Sequence, residues 1–424
     1  MVGGMLGWGF RANVQVHMAD DKHSKELTTK DGSRLTLNEL VHHLDVVDPS
    51  KKLWLNPLLF NGTLQTLYYA KSDASQKYQI YYGREVFHYK DEGICSLDWV
   101  IPPPESTEQF KQQYKETLPE GSPRLHPRSR YFSEDEIKAR TQENQADITT
   151  PLVVILHGLG GGSHEPLIRN LAENIANKTN NTWDCVVINN RGCCRTKVTN
   201  GKLFNALSVD DIGEVVEALR ARYPNRPLYA VGFSFGACML ANYLGTLPDN
   251  SLVHAAALVG CPWDLVDSAY HIQNSLTGRH LLNPALTTFL NKIVKNNFAE
   301  LNKHSPYLFS EENLKLGMQQ KRTWQFDSVY TCHTAGYASP WEYYREASPA
   351  RRISKINIPT IALNSTDDPA VSVRLPSEEI AHNPNMVMVE TDLGGHLGWV
   401  QSDGKFWCVE VVEEFFTLFD EKVK

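Results

Sequence analysis

No apolar run in this sequence reaches the roughly 18–20 residues that a membrane-spanning helix needs, so any membrane or lipid-droplet contact would be peripheral. There is no basic excess: 42 Lys+Arg against 49 Asp+Glu leave a formal charge of −7. Broad nucleic-acid binding needs a basic footprint and is not expected. The eight cysteines form no Cys-x-x-Cys pair and no metal-ligand spacing. That argues against a zinc or dithiol motif and points to reduced thiols in the cytoplasm. The apolar, glycine-rich first ten residues lack a basic stretch and a cleavage site, so a loosely docked terminus is expected, not a signal peptide. The last residues, Glu421-Lys422-Val423-Lys424, are not a peroxisomal or retention address. Internal repeats and low-complexity tracts are absent.

What is present is a long globular chain. Its 424 residues are 42% hydrophobic and 10% aromatic, enough for a large core and too rich for disorder. Residues 1–75 show no strong period and are read as an N-terminal extension. Residues 78–89 and 94–101 alternate as two strands around the turn Lys90-Asp91-Glu92-Gly93. From Pro102 to Thr150 the chain is polar and proline-punctuated, which predicts a surface excursion with one short helix after Ser133.

The texture changes at Pro151. Leu152-Val153-Val154-Ile155-Leu156 is apolar throughout, as a strand buried on both faces must be. Further apolar runs at 185–189, 228–231, 254–259, 359–364 and 386–390 alternate with helical patterns at 208–223, 235–244 and 406–419. Such alternation predicts an α/β class with a mostly parallel sheet spanning residues 76–424. Residues 262–355 interrupt it with mostly helical sequence, an insertion suited to capping a site.

The sharpest motif is Gly232-Phe233-Ser234-Phe235-Gly236, between a strand and a helix. That is the context of a nucleophile elbow, where residues two before and two after the serine must be small. A serine hydroxyl needs a base, and the base needs an orienting acid, both at the ends of later strands. His396, in Gly394-Gly395-His396-Leu397-Gly398, fits as base. Asp368, in Asp367-Asp368-Pro369-Ala370-Val371, fits as acid, with its neighbour Asp367 the open alternative. Asp392 and Asp264 read as caps or surface groups. Two backbone N–H groups are needed for the oxyanion. Phe235, after the nucleophile, and Leu159, in His157-Gly158-Leu159-Gly160-Gly161-Gly162, are the candidates. His157 reads as a loop-fixing residue; His164 and Glu165 read as a helix start, with lining of the site's entrance as the alternative.

Competing patterns are weaker. Gly158 to Gly162 does not fit G-x-G-x-x-G, and no acid ends the next strand, so a dinucleotide site with Arg191 as a phosphate contact is disfavoured. His43 and Asp48 match an H-x-x-x-x-D acyltransferase spacing without a supporting pattern. The vicinal Cys193-Cys194 reads as buried packing. No cofactor and no metal is expected. From another class, a ligand-binding protein that kept the fold without turnover is the alternative.

Several stretches together resemble the AB-hydrolase 4 family of serine hydrolases, in its fungal branch of medium-chain ester synthase/esterases and monoacylglycerol lipases. They are Phe60-Asn61-Gly62-Thr63-Leu64-Gln65-Thr66, His157 to Ser163, Asn190-Arg191-Gly192-Cys193, Ala241-Asn242-Tyr243-Leu244-Gly245, Asp367-Asp368-Pro369 and Gly394-Gly395-His396. The first fifty residues match poorly. The resemblance implies an α/β-hydrolase fold with a triad of Ser234, Asp368 and His396. It also implies a medium-chain acyl ester or acyl-CoA substrate, and an acyl-enzyme resolved by water or a short alcohol. The residues flanking Ser234 depart from those of some relatives, which bears on acyl-chain preference.

Overall fold

Apolar runs that are buried on both faces need helices on both sides of a sheet, and that requirement organises this chain. The computed structural model describes residues 10–73, 77–141, 145–247 and 252–424. Among these, the strands are β1 (Arg11–Ala12), β2 (Val14–Met18), β3 (Glu26–Thr28), β4 (Arg34–Thr36), β5 (Leu53–Trp54), β6 (Tyr81–His88), β7 (Ile94–Ile101), β8 (Ser129–Tyr131), β9 (Leu152–Leu156), β10 (Asp184–Asn189), β11 (Leu228–Phe233), β12 (Ala255–Val259), β13 (Thr360–Ser365) and β14 (Met386–Thr391). Ten of them form one sheet in the order β2-β14-β13-β12-β11-β9-β10-β7-β6-β8. The block from β14 to β10 is parallel throughout. Antiparallel β2 and β7 flank it.

The two faces of β9 show how the core divides. Leu152, Val154 and Leu156 pack with the helices Val209–Arg222 and Phe235–Thr246. Val153 and Ile155 pack on the other side with Pro166–Lys178 and Trp407–Lys422. All five are fully buried, and each such side chain contributes about 1.5–3 kcal/mol of apolar burial. Between β12 and β13 lies the helical insertion, which includes Leu265–Asn274, Asn283–Asn296, Thr323–Val329 and Pro340–Ala347. No described helix is long and apolar enough to cross a membrane.

Two expectations differ from the structure. The segment read as an extension enters the main sheet: β2 pairs along β14, with Val16 opposite Val389. Its five residues are too short a strand to stand out as a period. The excursion after Pro102 carries two helices, not one. Thr107–Thr117 precedes the expected helix, which runs Glu134–Thr141, and β8 lies between them. Thr107–Thr117 buries no residue, so it has no apolar stripe to read. It is marked only by the N-cap Ser106, whose side chain accepts the Gln109 N–H at 3.1 Å.

Candidate active site

Ser234 sits where β11 turns into the helix Phe235–Thr246, with φ 52° and ψ −117°. A non-glycine residue with positive φ is strained, and the surroundings hold it there. Ser234 N–H donates to Val259 O at 2.8 Å, and Ser234 O accepts Cys238 N–H at 3.0 Å. The flanking glycines are required by contact. A Cβ on Gly232 would stand 2.5 Å from Gly236 O, and one on Gly236 would stand 2.5 Å from the Leu156 and His157 carbonyls.

From this turn the serine reaches His396. Ser234 Oγ lies 2.7 Å from His396 Nε2, and His396 Nδ1 lies 2.7 Å from Asp368 Oδ2. Asp368 is 1% exposed. Its Oδ1 accepts the N–H groups of Ala370 and Val371 at 2.7 and 3.0 Å. The second carboxylate oxygen thus stays free for the imidazole. The geometry separates the two neighbouring acids. Asp367 Oδ1 accepts Gly394 N–H at 3.0 Å, Gly395 N–H at 2.8 Å and the Ser365 hydroxyl at 2.6 Å. It shapes the loop that carries His396 and does not touch the ring. Asp392 accepts Asn13 N–H, and Asp264 caps the helix Leu265–Asn274.

Leu159 and Phe235 both line the pocket that also holds Ser234 and His396. The loop between β9 and the next helix is pinned. His157 Nδ1 donates to Gly158 O at 2.7 Å, and Gly161 N–H donates to the same oxygen at 3.1 Å. His157 Nε2 accepts Asn190 N–H at 3.2 Å. Burial pushes the His157 ring down to about 4, so it stays neutral and can accept. Arg191 is tied to Asp211 at 2.7 Å and to Asp91 at 3.1 Å, away from any phosphate role. Cys193 and Cys194 are buried.

The pocket encloses about 300 Å³ between the sheet edge and the helical insertion. Phe204, Phe235, Ile272, Leu282, Leu286 and Leu290 make its wall largely apolar. One part of the site escaped sequence reasoning, and another was weighed there only as an alternative. Thr66, on the helix Gly62–Lys71, accepts His396 N–H on its hydroxyl at 2.8 Å and donates to Gly62 O at 2.7 Å. Glu165 turns its carboxyl inward to the same pocket. The run from Phe60 to Thr66 was visible as a motif, but nothing local says that it folds against residue 396.

One cluster among the described residues has metal-ligating side chains: His126, His164 and Cys194. The two imidazoles are stacked, with centroids 3.8 Å apart and planes 1° from parallel. A metal bound at about 2.0–2.1 Å lies in the plane of each imidazole that ligates it, and stacked parallel rings share no such point. The cluster as arranged does not form a centre.

The α/β hydrolase fold family model matches residues 151–401, more than half of the chain. The chain belongs to the α/β-hydrolase family. It is 39% identical to the medium-chain fatty acid ethyl ester synthase/esterase 2 of Saccharomyces cerevisiae, over 98% of this chain and 97% of that one. It is 34% identical to the monoacylglycerol lipase of the same yeast, over 86% of this chain and 80% of that one. An esterase structure from Pyrococcus furiosus is similar over 82% of this chain and 95% of that one, at 14% identity and a TM-score of 0.44, too distant to inform the site.

Proposed function

We propose that this chain is a serine esterase and acyltransferase acting on medium-chain fatty acyl esters or thioesters. The observation that carries the reading is the unbroken hydrogen-bonded series from Ser234 through His396 to Asp368 at the wall of an apolar pocket. In the forward step His396 Nε2 takes the Ser234 proton as Oγ attacks the acyl carbon. Asp368 holds the Nδ1–H tautomer and stabilises the imidazolium. The amides of Leu159 and Phe235 are the donors to the developing oxyanion. His396 then gives its proton to the departing alcohol or thiol, leaving an acyl-Ser234 ester. Water or a short alcohol, deprotonated by His396, resolves that ester. The Leu and Phe side chains of the pocket suit an unbranched acyl chain, and the names of the two yeast relatives support esters as the substrate class.

A second reading, a monoacylglycerol lipase, uses the same steps with glycerol as the leaving group. It is favoured by the similarity to the yeast lipase. Incubation of an octanoyl ester and of a monooctanoyl glycerol with the protein in aqueous ethanol separates the two. Ethyl octanoate above the ethanol-to-water ratio marks an acyltransferase. Free octanoate alone, with preference for the glyceride, marks the lipase. Ser234→Ala is expected to lower either product by at least about a thousandfold. Equal turnover by that variant would remove the whole reading, and an acyl ligand bound but never cleaved would point to a binding protein.

A further inference from the structure

The acid of the triad sits on a stretch with no regular structure of its own. Asp368 lies on the loop between β13 and the helix Ser377–Ala381, and a loop holds a side chain in place only if other segments fix it. Asp368 Oδ1 ties this loop from inside, through the Ala370 and Val371 amides. From outside it is held by the first helix of the insertion, Leu265–Asn274. His271 Nε2 donates to the main-chain carbonyl of Asp368 at 2.9 Å. Ser268 Oγ accepts Ser372 N–H at 3.1 Å, and the Ser372 hydroxyl donates to Asp267 Oδ2. Ser275 Oγ, just past the helix, donates to Pro369 O at 3.4 Å. Ser268, His271 and Ser275 are three and four residues apart, which puts them on one face. Leu265, Ala269 and Ile272 of the same helix line the pocket. One helix therefore carries both a wall of the pocket and the support of the acid.

We propose that His271 is a positioning residue for the acyl transfer described above: by fixing the Asp368 peptide it keeps the carboxylate Oδ2 against His396 Nδ1, and it makes the first helix of the insertion part of the triad's support. The inference rests on that acyl-transfer reading. A carbonyl oxygen only accepts, so the bond requires hydrogen on His271 Nε2. The neutral ring supplies it in one tautomer and the imidazolium supplies it too, so the support does not depend on the charge of the ring. The carbonyl and the carboxylate belong to one residue, and a shift of the peptide carries the carboxylate with it. The Asp368–His396 contact is 2.7 Å, and a displacement of about 1 Å takes it beyond hydrogen-bond reach. The imidazole then loses its fixed tautomer. Of the helix contacts described, those from Ser268, Asp267 and Ser275 hold residues 369 and 372, and the one from His271 reaches the acid itself.

The test is a double-mutant cycle between His271 and Asp368, read by kcat and KM on an octanoyl ester and by the rate at which a fluorophosphonate labels Ser234. His271→Leu keeps the bulk and removes the donor. It is expected to lower kcat about tenfold with KM little changed, and to slow labelling in parallel. His271→Gln brings an amide N–H to the same carbonyl and is expected to stay within about threefold of wild type. In an Asp368→Asn background the acid's hold on the imidazole is already lost, so His271→Leu is expected to cost less than about twofold more. A role confined to packing would give the same loss in both backgrounds. Circular dichroism and the melting temperature keep loss of fold apart from loss of rate. His271→Asn, polar but too short to reach the carbonyl, takes the place of His271→Leu if that variant does not fold, with the same expectation. Wild-type kcat in a folded variant without the donor, equal losses in His271→Gln and His271→Leu, or full additivity with Asp368→Asn overturns the proposal while leaving the acyl-transfer reading intact. A wild-type protein that neither turns over nor labels overturns both.

Discussion

Asp367 and Asp368 show how little separates two chemical roles. They are adjacent, both enclosed, and both accept two backbone N–H groups. Only Asp368 turns an oxygen to His396. Asp368→Asn should therefore lower kcat by about 10³–10⁴, because the amide can no longer hold the imidazole tautomer. Asp367→Asn should cost about tenfold, through slack in the 394–396 loop, since one acceptor oxygen remains for its amides. Kinetics on both variants check the assignment, and the reverse order of losses would transfer the acid role to Asp367. Sequence reasoning took Asp368 as the acid and left its neighbour open. The distinction depends on side-chain direction after a bend, which residue order does not encode. Ser234 was more legible, because its flanking glycines answer a contact constraint that is local to the turn.

Gly236 ties the elbow helix to β9. Its Cα faces the carbonyls of Leu156 and His157, which are main chain and cannot swing aside. Gly236→Ala is expected to destabilise the protein by about 3 kcal/mol or more, read as a lower urea midpoint. The helix Gly62–Lys71 gives the complementary case, an element that matters for rate more than for stability. Thr66→Val keeps the side chain's shape and deletes the acceptor for His396 N–H. We expect kcat to fall about five- to tenfold with the melting temperature nearly unchanged; a fall in melting temperature without a fall in kcat would contradict this. At this scale the long apolar strands and the helices with buried stripes were readable, because their periods follow from burial. Thr107–Thr117 and β2 were not. One buries nothing, and the other is a short edge strand whose partner, β14, lies far along the chain.

Over the whole molecule, two sets of buried titratable groups oppose each other in stability. Burial raises Glu165 to about 7 and Asp327 to about 6. A group whose folded pKa is raised stabilises the fold fully below its unfolded pKa and loses that contribution as pH rises through the folded value. These two therefore weaken the protein between about pH 4.5 and 7. Burial also lowers His126 and His157 to about 4 and His164 to about 3. Their contribution is present above about pH 6.5 and is lost as pH falls toward those values. Burial also lowers His254 and raises Asp211, Asp367, Glu410 and Glu413. The histidine contribution falls away toward acid pH and the Glu165 contribution as pH rises through about 7, so the melting temperature should fall on both sides of about pH 6–7. The double variant Glu165→Gln, Asp327→Asn should remove the decline on the alkaline side of that peak. A melting profile that is unchanged in the double variant would show that other groups control it.

The sequence by itself determined the α/β class, the parallel core, the capping insertion and the three residues proposed for catalysis. Each of these follows from a constraint carried by neighbours in the chain: apolar continuity where both strand faces are covered, small residues around a tight turn, and polar residues at strand ends. The tertiary structure decided which of two adjacent aspartates meets the histidine, and that the helix of residues 62–71 holds the loop of His396. It also decided that Glu165, which starts the helix Pro166–Lys178, lines the pocket as well. These relations join segments that can be hundreds of residues apart in sequence. They are set by how the sheet, the insertion and the N-terminal segment close over one cavity, for which no local pattern carries a signal.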